Sequence, residues 1–278
     1  MPDDYSPSSE DIKAAYRGFE IGGDGRSPDS GAEGGRVSAY WNGRAAGFGE
    51  VRRFELESDK RELWLAEIVP LLPEAGRPLK ILDIGTGTGF FSILMAQLGH
   101  DATGIDLSPA MVEEARKAAA KFGVAAKFLQ MNALELEFGD ETFDAVLTRN
   151  LTWTLPDVRA AYREWTRVLR PGGVLVNFDA DYGYVSFSGV TSGLGAEGVR
   201  NAHEELGQKV LDECDAIKRE LSISWVPRPV WDESVLRELG YREVDSDTAL
   251  SERIYRVKDA AWNPIPMFRL SGRKPPRG

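Results

Sequence analysis

The feature that most limits how this sequence can fold is a regular alternation of short apolar segments with longer segments of helical periodicity. Short apolar runs are typical of buried strands, and helices between them connect parallel strands across a sheet. The alternation therefore predicts an α/β fold, with a parallel sheet that carries helices on both faces. The predicted strands are 79–84, 102–105, 126–130, 143–148 and 174–178, and the predicted helices between them are 90–98, 109–122 and 158–169, the last ended by a Pro-Gly-Gly turn at 171–173.

The segments that flank this alternation divide the chain into four regions. Residues 1–36 are rich in Gly, Ser, Asp and Pro, a composition typical of flexible segments. Further predicted helices lie at 11–19, 54–72, 197–221 and 231–239, further strands lie at 242–245 and 267–270, and a Gly/Ser-rich segment lies at 186–196. We expect a flexible N-terminal segment and cap at 1–55, a core at 56–181, a lid insert at 182–229 and the C-terminal part of the core sheet at 230–278.

The composition excludes several classes of protein. The 278 residues include 44 acidic and 34 basic side chains, a formal charge of −10, which disfavours binding to nucleic-acid phosphates. Cys214 is the single cysteine, so an internal disulfide or a site with several cysteine ligands is impossible. No apolar run reaches the roughly 20 residues that span a bilayer, and the first residues lack the pattern of a signal peptide. We expect a cytoplasmic protein that binds neither nucleic acid nor membrane.

A glycine-rich segment lies between the first predicted strand and the helix that follows it. Gly85, Gly87 and Gly89 recur at every second position, and glycine lets the backbone approach a ligand while helix N-terminal amides point outward. The dinucleotide fingerprint needs a glycine where Phe90 stands, and the Gly-Lys-Ser/Thr ending of a P-loop is absent. The spacing therefore disfavours both of those sites, although a plain strand-to-helix turn is also compatible with these glycines.

Polar residues follow the next two predicted strands. Asp106 ends the second strand, and Asn132 and Ala133 follow the third. A carboxylate can accept both hydroxyls of a ribose, and the Asn132 amide and the Ala133 N–H can meet the edge of an adenine. Each residue alone would also fit a cap or a turn. Together with the glycine segment, at successive strand ends, they predict a pocket for an adenosine whose tail crosses the glycines.

Five segments of the sequence resemble one known family. They read LDIGTGTGF, GIDLSPAM, MNALELEF, FDAVLTRN and RVLRPGGVLV, and are similar to the class I S-adenosylmethionine-dependent methyltransferases, closest to the ubiquinone/menaquinone methyltransferase branch. The resemblance extends over residues 39–179 and implies a Rossmann-like, seven-stranded, mostly parallel sheet with an N-terminal cap and a lid insert after strand five. It also implies S-adenosyl-L-methionine as the cofactor, S-adenosyl-L-homocysteine as its product, and no metal.

The resemblance also implies roles for individual residues. Asp83 and the glycine segment would hold the methionine part of the cofactor, Asp106 would hold the ribose, and an aromatic residue near position 40 would cover the cofactor. Asn132 stands where the family more often has Asp, and it keeps the oxygen needed for adenine. The cofactor-binding residues implied in this way are Tyr40, Asp83, Gly85, Thr86, Gly87, Gly89, Asp106, Leu107, Met111, Asn132, Ala133 and Asn150, the last through the backbone near the methionine ammonium.

The sequence defines the acceptor side less closely. Methyl transfer from a sulfonium needs alignment of the reacting atoms and exclusion of water, and it needs no nucleophilic triad. Trp41, Trp153 and Asp181 are the candidate acceptor contacts, and Asp179, Asp181 and His203 are the weak candidates for a base. Core packing explains the two tryptophans equally well. Solvated positions in loops or on a helix face are the interpretation we favour for the three candidate bases.

We therefore expect an enzyme that moves a methyl group to O, N or C of a small molecule by in-line displacement. A non-catalytic adenosyl-ligand-binding subunit or sensor is the main alternative, and a protein acceptor or a nicotinamide oxidoreductase is less favoured. Residues 148–151 lack both the acidic cluster of metal-dependent catechol-type enzymes and the Asn/Asp-Pro-Pro motif of nucleic-acid amine methyltransferases. Trp225, Trp231 and Trp262 would add aromatic surface for an acceptor or form the interface of a homodimer.

Overall fold

A seven-stranded sheet forms the centre of the molecule. The computed structural model describes residues 30–187 and 208–277. In this part of the chain the strands are β1 Lys80–Ile84, β2 Asp101–Asp106, β3 Lys127–Gln130, β4 Phe143–Arg149, β5 Leu169–Ala180, β6 Arg242–Asp247 and β7 Met267–Arg273. Their order is β3-β2-β1-β4-β5-β7-β6. The first five strands are parallel, and β7 is antiparallel to β5 and β6, which confirms the expected fold class.

Helices cover both faces of this sheet, and two of them begin at side-chain caps that the sequence provides. Ser108 Oγ accepts the Met111 N–H (3.1 Å), and Asp157 Oδ1 accepts the Ala160 N–H (2.7 Å), each satisfying a free amide of a first turn. The helices of the described part are α1 Ser30–Glu57, α2 Lys60–Ile68, α3 Phe90–Gln97, α4 Pro109–Lys121, α5 Val158–Val168, α6 Gln208–Glu220, α7 Val230–Glu238 and α8 Leu250–Ile254.

Each face of the sheet has its own hydrophobic core, because successive residues along the strands alternate between the two sides. On one face Trp64, Phe91 and Phe178 pack edge to face, with ring centroids 5.2–5.4 Å apart. On the other face Tyr162 and Trp165 of α5 are fully buried, with centroids 5.3 Å apart. The central strands are therefore held from both sides, which fixes where their carboxyl ends lie.

The strand order creates a crevice at the carboxyl end of β1. This strand pairs with β2 on one side and with β4 on the other, so the chain moves outward from β1 in both directions. Ligands of open α/β sheets bind at such a switch point, just beyond the strand ends. Helix α1 packs against α4 and contributes side chains to the wall of this crevice.

Several predictions differ from the structure: α1 begins at Ser30, inside the segment expected to be flexible, and α8 was not predicted. The helix predicted at 54–72 is divided: α1 ends at Glu57, α2 ends at Ile68, and a 3-10 helix follows at Val69–Leu71, where Pro70 lacks the N–H of an α-helical bond. Strand β5 begins at Leu169, ahead of the predicted residue 174. The predicted turn at 171–173 is an irregularity inside this strand, where Gly172 adopts φ +77° and its N–H donates to the Lys274 carbonyl (2.8 Å).

Some sequence predictions fall outside the described residues. These are the helix at 11–19, most of the Gly/Ser-rich segment at 186–196, and the first part of the helix at 197–221, of which α6 is the described part. Across 30–187 and 208–277, no helix has the length and apolar character needed to cross a membrane.

Candidate cofactor and acceptor site

A pocket opens beyond the carboxyl ends of β1, β2 and β4, at the switch point of the sheet. Ten of the twelve residues predicted to bind the cofactor line it, whereas Tyr40 and Gly89 do not. The lining includes three residues of α1, namely Trp41, Phe48 and Arg52. The other lining residues considered below lie at or just after the ends of four strands: Asp83, Gly85, Thr86, Gly87 and Thr88 for β1, Asp106, Leu107 and Met111 for β2, Met131, Asn132 and Ala133 for β3, and Arg149, Asn150 and Leu151 for β4.

Two glycines bring bare backbone to this pocket. Gly85 (φ +66°) and Gly87 (φ +55°) both adopt the left-handed conformation that side chains disfavour. A Cβ on Gly85 would lie 2.8 Å from the Leu151 side chain, so this glycine allows close packing of the loop after β4. A Cβ on Gly87 would meet no atom within 4 Å. The Gly87 backbone therefore faces open space where a ligand can approach it closely.

Gly89 serves packing in place of the predicted cofactor contact. It precedes α3 with φ +89°, and a Cβ at this position would lie 3.1 Å from both Ala115 of α4 and Phe128 of β3. These atoms belong to the layer behind the pocket. The third glycine of the segment therefore lets α3 approach its neighbours, and its position does not favour contact with a ligand.

Asp83 shapes the loop that carries these glycines. Its Oδ2 accepts hydrogen bonds from Thr86 Oγ1 (2.6 Å), Ser92 Oγ (2.8 Å) and the Ser92 N–H (3.0 Å). Burial raises the pKa of this carboxyl, and the three donors oppose that shift. The carboxylate thus ties the end of β1 to the first turn of α3, while it also lines the pocket.

Asp106 connects the loops after β1 and β2. Its Oδ2 accepts the Gly87 N–H and its Oδ1 accepts the Ser108 N–H, both at 2.9 Å. Burial raises the pKa of Asp106 to about 6, although the hydrogen bonds from Ser108 and Gly87 act in the opposite direction. Each carboxylate oxygen keeps a lone pair for a further donor. Two neighbouring hydroxyl groups could therefore be accepted here.

The residues after β3 combine a turn with a pocket wall. Asn132 is exposed, and its Oδ1 accepts the Leu134 N–H (3.0 Å), which is an Asx-turn. Asn132 therefore forms the turn that its sequence position also allowed. The second lone pair of its Oδ1 stays available to a ligand. The Ala133 carbonyl accepts the Trp165 indole N–H (2.8 Å). Leu107 and Met111 face the same part of the pocket as apolar walls.

Adjacent residues of α1 differ in what they line, because each helical residue turns the side chain by about 100°. Trp41 lines both the pocket and a narrow apolar cavity beside it, whereas Tyr40 lines only that cavity, with Trp153, Cys214 and other residues. The Tyr40 hydroxyl accepts a hydrogen bond from Arg44 (2.9 Å). The prediction that Tyr40 covers the cofactor is therefore not supported by its position, and its neighbour Trp41 is the one of the two that lines the pocket.

An aromatic cluster adjoins both cavities through Trp41. Trp153 lies 6.4 Å from Trp41, 4.7 Å from Tyr182 and 5.5 Å from Phe187 between ring centroids, and Trp41 lies 5.6 Å from Phe48. We call these five residues the aromatic wall. The two tryptophans predicted to contact an acceptor are thus brought together, and of the two only Trp41 lines the pocket.

An ion pair that the sequence did not predict lies at the end of β4. The Arg149 guanidinium donates to both carboxylate oxygens of Glu55 (2.9 and 3.0 Å) and to the Tyr255 hydroxyl (2.7 Å), and it lies 4.2 Å from the Trp64 ring. Burial raises the pKa of Glu55, but the charges of Arg149 and Arg52 outweigh it and bring the pKa to about 2. The pair fixes α1 over the end of β4.

Two buried polar atoms in the pocket lining fit a polar ligand. In the part of the chain that the structure describes, Thr88 Oγ1 and Arg149 Nε have no hydrogen-bond partner. Buried polar groups are nearly always paired, so such atoms in a pocket lining point to a group that binds there. A ligand that carries both hydroxyl groups and charge would suit these two unpaired atoms, the bare backbone at Gly87 and the Asp106 carboxylate.

Asp179 is neither solvated nor directed into the pocket. It is fully buried, and its Oδ2 accepts hydrogen bonds from Arg228 Nη1 (3.2 Å), the Trp153 N–H (3.2 Å) and the Thr152 hydroxyl. Burial raises its pKa, and the Arg228 charge opposes the rise. Arg228 also pairs with the buried Asp232 (2.7 Å). The solvated-loop interpretation is therefore wrong for Asp179, and its position does not favour a role as base.

The remaining predicted residues lie away from the pocket or outside the described ranges. Asp181 accepts the Gly183 N–H (3.3 Å) and the Arg228 N–H (3.4 Å), so it caps the 3-10 helix Tyr182–Tyr184. His203 lies outside the described residues. Trp231 is buried in the core and cannot form a dimer surface, whereas Trp225 is 54% exposed.

Comparison with known proteins agrees with this geometry. A family described as "Methyltransferase domain" matches residues 82–177. Demethylmenaquinone methyltransferase of Thermus thermophilus is 37% identical over 115 residues, which are 41% of this chain and 52% of that protein. Ubiquinone biosynthesis O-methyltransferase of Mesorhizobium japonicum is 34% identical over 106 residues, 37% of this chain and 43% of that protein. The chain thus spans about half the length of the curated relatives it matches.

A solved structure supports the fold over a larger part of the chain. A candidate S-adenosyl-L-methionine-dependent methyltransferase from Methanococcus maripaludis aligns with a TM-score of 0.56 and 18% identity, over 86% of this chain and 95% of that one. The family match places a methyltransferase domain at residues 82–177, and the strand order and the aligned structure agree with the fold of class I S-adenosylmethionine-dependent methyltransferases. The resemblance seen in the sequence is thereby confirmed.

Proposed function

We propose that this protein binds S-adenosyl-L-methionine in the pocket and transfers its methyl group to an O, N or C atom of a small molecule. The observation that carries the proposal is the Asp106 carboxylate, which is held by the Gly87 and Ser108 N–H groups at the edge of the pocket. A half-buried carboxylate fixed in this way, beside bare glycine backbone, is well suited to the two hydroxyls of a ribose.

The other residues of the pocket would hold the rest of the cofactor. Leu107, Met111 and Ala133 would contact the adenine, and Asp83 and Gly85 lie where the methionine part would pass. Trp41 would lie over the sulfonium, because an aromatic face attracts a cation. This assignment keeps the predicted order of contacts along the strand ends, with Trp41 in the place that was first expected of Tyr40.

When bound, the cofactor would supply an electrophilic methyl group to the nucleophilic O, N or C atom of the acceptor, and Asp83, Asp106 and Trp41 would hold it in the pocket. The protein would contribute alignment and exclusion of water. Trp41 and Phe48 of α1 cover the pocket with apolar surface. The Arg149–Glu55 ion pair would keep α1 in that position. We assign no catalytic base among the described residues.

A small acceptor suits the space beside the cofactor. The apolar cavity near Tyr40 shares Val37, Trp41 and Thr154 with the main pocket, so an acceptor would lie between the aromatic wall and the methyl group. The names of the menaquinone and ubiquinone relatives support an organic acceptor of this kind.

The proposed setting follows from composition and surface. We infer a cytoplasmic protein from the single cysteine, and a partner set without nucleic acid from the formal charge of −10. A homodimer would use exposed surface such as Trp225. We also propose that the chain is divided into a cap, a core, a lid insert and a C-terminal part of the core sheet.

Calorimetric titration with S-adenosyl-L-methionine and S-adenosyl-L-homocysteine tests the proposed site. Asp106→Asn should weaken binding of both by roughly thirty- to hundredfold, the effect of losing charge-assisted hydrogen bonds of about 2–3 kcal/mol in total. Asp101→Asn is the matched control, because Asp101 begins the same strand but pairs with Lys127 in solvent (3.0 Å). Its affinity should stay within twofold of wild type.

The two negative outcomes are distinct. If the folded wild-type protein binds neither compound, the proposed function is wrong. If binding is normal but no labelled methyl group is transferred in a screen of small phenols, amines and carbon nucleophiles such as enolisable ketones, a non-catalytic adenosyl-ligand-binding subunit becomes the better interpretation. Release of S-adenosyl-L-homocysteine that depends on one of these acceptors would support the enzyme.

A further inference from the structure

Asn150 has an unusual backbone conformation at the acceptor side of the pocket. It directly follows β4 with φ +53°, one of three residues other than glycine with positive φ in the described part of the chain. Two hydrogen bonds hold it there: its N–H donates to the Phe178 carbonyl (2.8 Å), and its carbonyl accepts the Trp153 indole N–H (3.0 Å). Backbone strain of this kind persists only where surrounding contacts enforce it, and it is concentrated at functional sites.

The side-chain amide of Asn150 is also oriented by its neighbours. Its Oδ1 accepts the Tyr182 hydroxyl proton (3.0 Å). Burial raises the pKa of Tyr182 far above its usual value, so the hydroxyl remains a donor. The Asn263 amide faces the same hydroxyl, and its own Oδ1 accepts the Ile265 N–H (3.0 Å), so its NH2 end is the one available to Tyr182. This series of contacts fixes which end of the Asn150 amide is the oxygen.

The consequence is a free donor in the pocket lining. With Oδ1 turned to Tyr182, Nδ2 is the remaining polar atom of the Asn150 side chain, and it donates to no residue within 30–187 and 208–277. Asn150 lines the pocket and is half-buried. An NH2 group cannot pair with the methionine ammonium of the cofactor, because both groups are donors. Nδ2 is therefore suited to an oxygen atom.

We infer that Asn150 Nδ2 recognises an oxygen atom of the methyl acceptor, and that the acceptor is a planar, largely apolar molecule with a carbonyl or phenolic oxygen. Tyr182 acts as a positioning residue, since it touches Asn150 and sets the amide orientation. The flat, apolar body follows from Trp41 and Phe48 of the aromatic wall, which line the same pocket as Asn150. This inference rests on the proposed function, because it needs the cofactor in the neighbouring part of the pocket.

A matched pair of probes tests the inference. Acetophenone carries a carbonyl oxygen, and α-methylstyrene has the same shape with a CH2 group in its place. Protein labelled with [15N]asparagine has six asparagines, and the Asn150 side-chain signal is identified by its loss in Asn150→Asp. In protein saturated with S-adenosyl-L-homocysteine, acetophenone should shift this signal and bind roughly fivefold more tightly than α-methylstyrene.

Two variants separate recognition from general damage to the pocket. Asn150→Asp keeps the acceptor for Tyr182 and tolerates positive φ, but it replaces the donor, so acetophenone should bind roughly tenfold more weakly and α-methylstyrene as before. Tyr182→Phe releases the amide and should reduce the preference for acetophenone to about twofold. Tyr241→Phe is the control, because the Tyr241 hydroxyl contacts Thr166 (3.1 Å) and does not line the pocket.

Three results would overturn the inference. The first is equal affinity for the two probes, or binding of neither, in protein that holds S-adenosyl-L-homocysteine. The second is acetophenone binding without a shift of the Asn150 signal. The third is a tenfold loss of S-adenosyl-L-homocysteine affinity in Asn150→Asp, which would assign the amide to the cofactor carboxylate. Failure of the proposed function has a different sign, since wild-type protein would then bind no S-adenosyl-L-homocysteine at all.

Discussion

On the cofactor side of the pocket Asp106 reaches the Gly87 N–H across 19 positions of the chain, whereas on the acceptor side Arg149 reaches Glu55 across 94 and Tyr255 across 106. The first side is built from consecutive strand ends and from backbone N–H groups. The second side depends on side chains that the fold brings together from α1, β4 and the C-terminal region. A short sequence pattern can therefore specify the cofactor side, but not the acceptor side.

The two sides also differ in how they hold charge. Asp106 lies at the pocket edge, and its partners are the backbone N–H groups of Gly87 and Ser108. Its removal would therefore leave neither of these neutral partners as an unpaired charge. Asp179, Asp232 and Arg228 form a fully buried group beneath the loop after β4, with Thr152 bonded to both Asp179 and Arg228. Removal of one member of such a group leaves an unpaired buried charge, which is strongly unfavourable.

The largest effect is expected from Arg228→Met. This change removes the cation that pairs with Asp179 and Asp232. It should lower the free energy of unfolding, measured by urea denaturation, by about 3–5 kcal/mol. Arg237→Met is the control, because Arg237 is more than half exposed and pairs with Glu233 (2.8 Å) at the surface; its effect should stay below about 0.5 kcal/mol. A loss under 1 kcal/mol for Arg228→Met would show that the acceptor side does not depend on this buried group.

A smaller effect on stability tests whether Gly89, the third glycine of the segment, serves packing. Gly89→Ala should cost about 2–4 kcal/mol, because a Cβ 3.1 Å from Ala115 and Phe128 adds overpacking to left-handed backbone strain. Gly99→Ala has similar strain (φ +84°) with nothing within 4 Å, so about 1 kcal/mol is expected. Thermal and urea unfolding measure both. Equal losses, or a large fall in S-adenosyl-L-homocysteine affinity for folded Gly89→Ala, would contradict the packing role.

The smallest effect is a pH dependence confined to the cofactor side. The raised pKa of Asp106, about 6, means that the carboxyl of the free protein takes up a proton as the pH falls below that value. The protonated group loses capacity to accept ribose hydroxyls, so S-adenosyl-L-homocysteine affinity should be constant above pH 7 and fall by up to about tenfold per unit below pH 6. Calorimetry between pH 5 and 8 measures this dependence.

Asp106→Asn shows whether the pH dependence belongs to Asp106. Asp83 lines the same pocket and also has a raised pKa because of its burial. If Asp106 is responsible, the weaker binding of Asp106→Asn should be independent of pH between 5 and 8. A pH dependence that persists unchanged in this variant would assign the titration to another group, with Asp83 the first to examine.

Much of the fold could be predicted from the sequence because its signals are local. Apolar runs, caps such as Ser108 and helix-ending glycines depend on neighbouring residues, so the strands and helices between residues 79 and 178 were predicted nearly within their observed bounds. The division of the predicted 54–72 helix was missed because apolar periodicity continues through the break. The irregularity in β5 was read as a turn, because a Pro-Gly-Gly run has the same composition in either setting.

The sequence by itself determined the α/β class, the glycine segment and the order of residues along the cofactor side, since each strand end is followed directly by its own polar residues. Only the tertiary structure decided that Trp41 faces the pocket and Tyr40 does not, that Asp179 is buried against Arg228, and that Tyr182 orients Asn150. These results depend on helix rotation and on contacts between distant segments. Such contacts leave no periodic pattern in the chain, because each is made once and only after the sheet has formed.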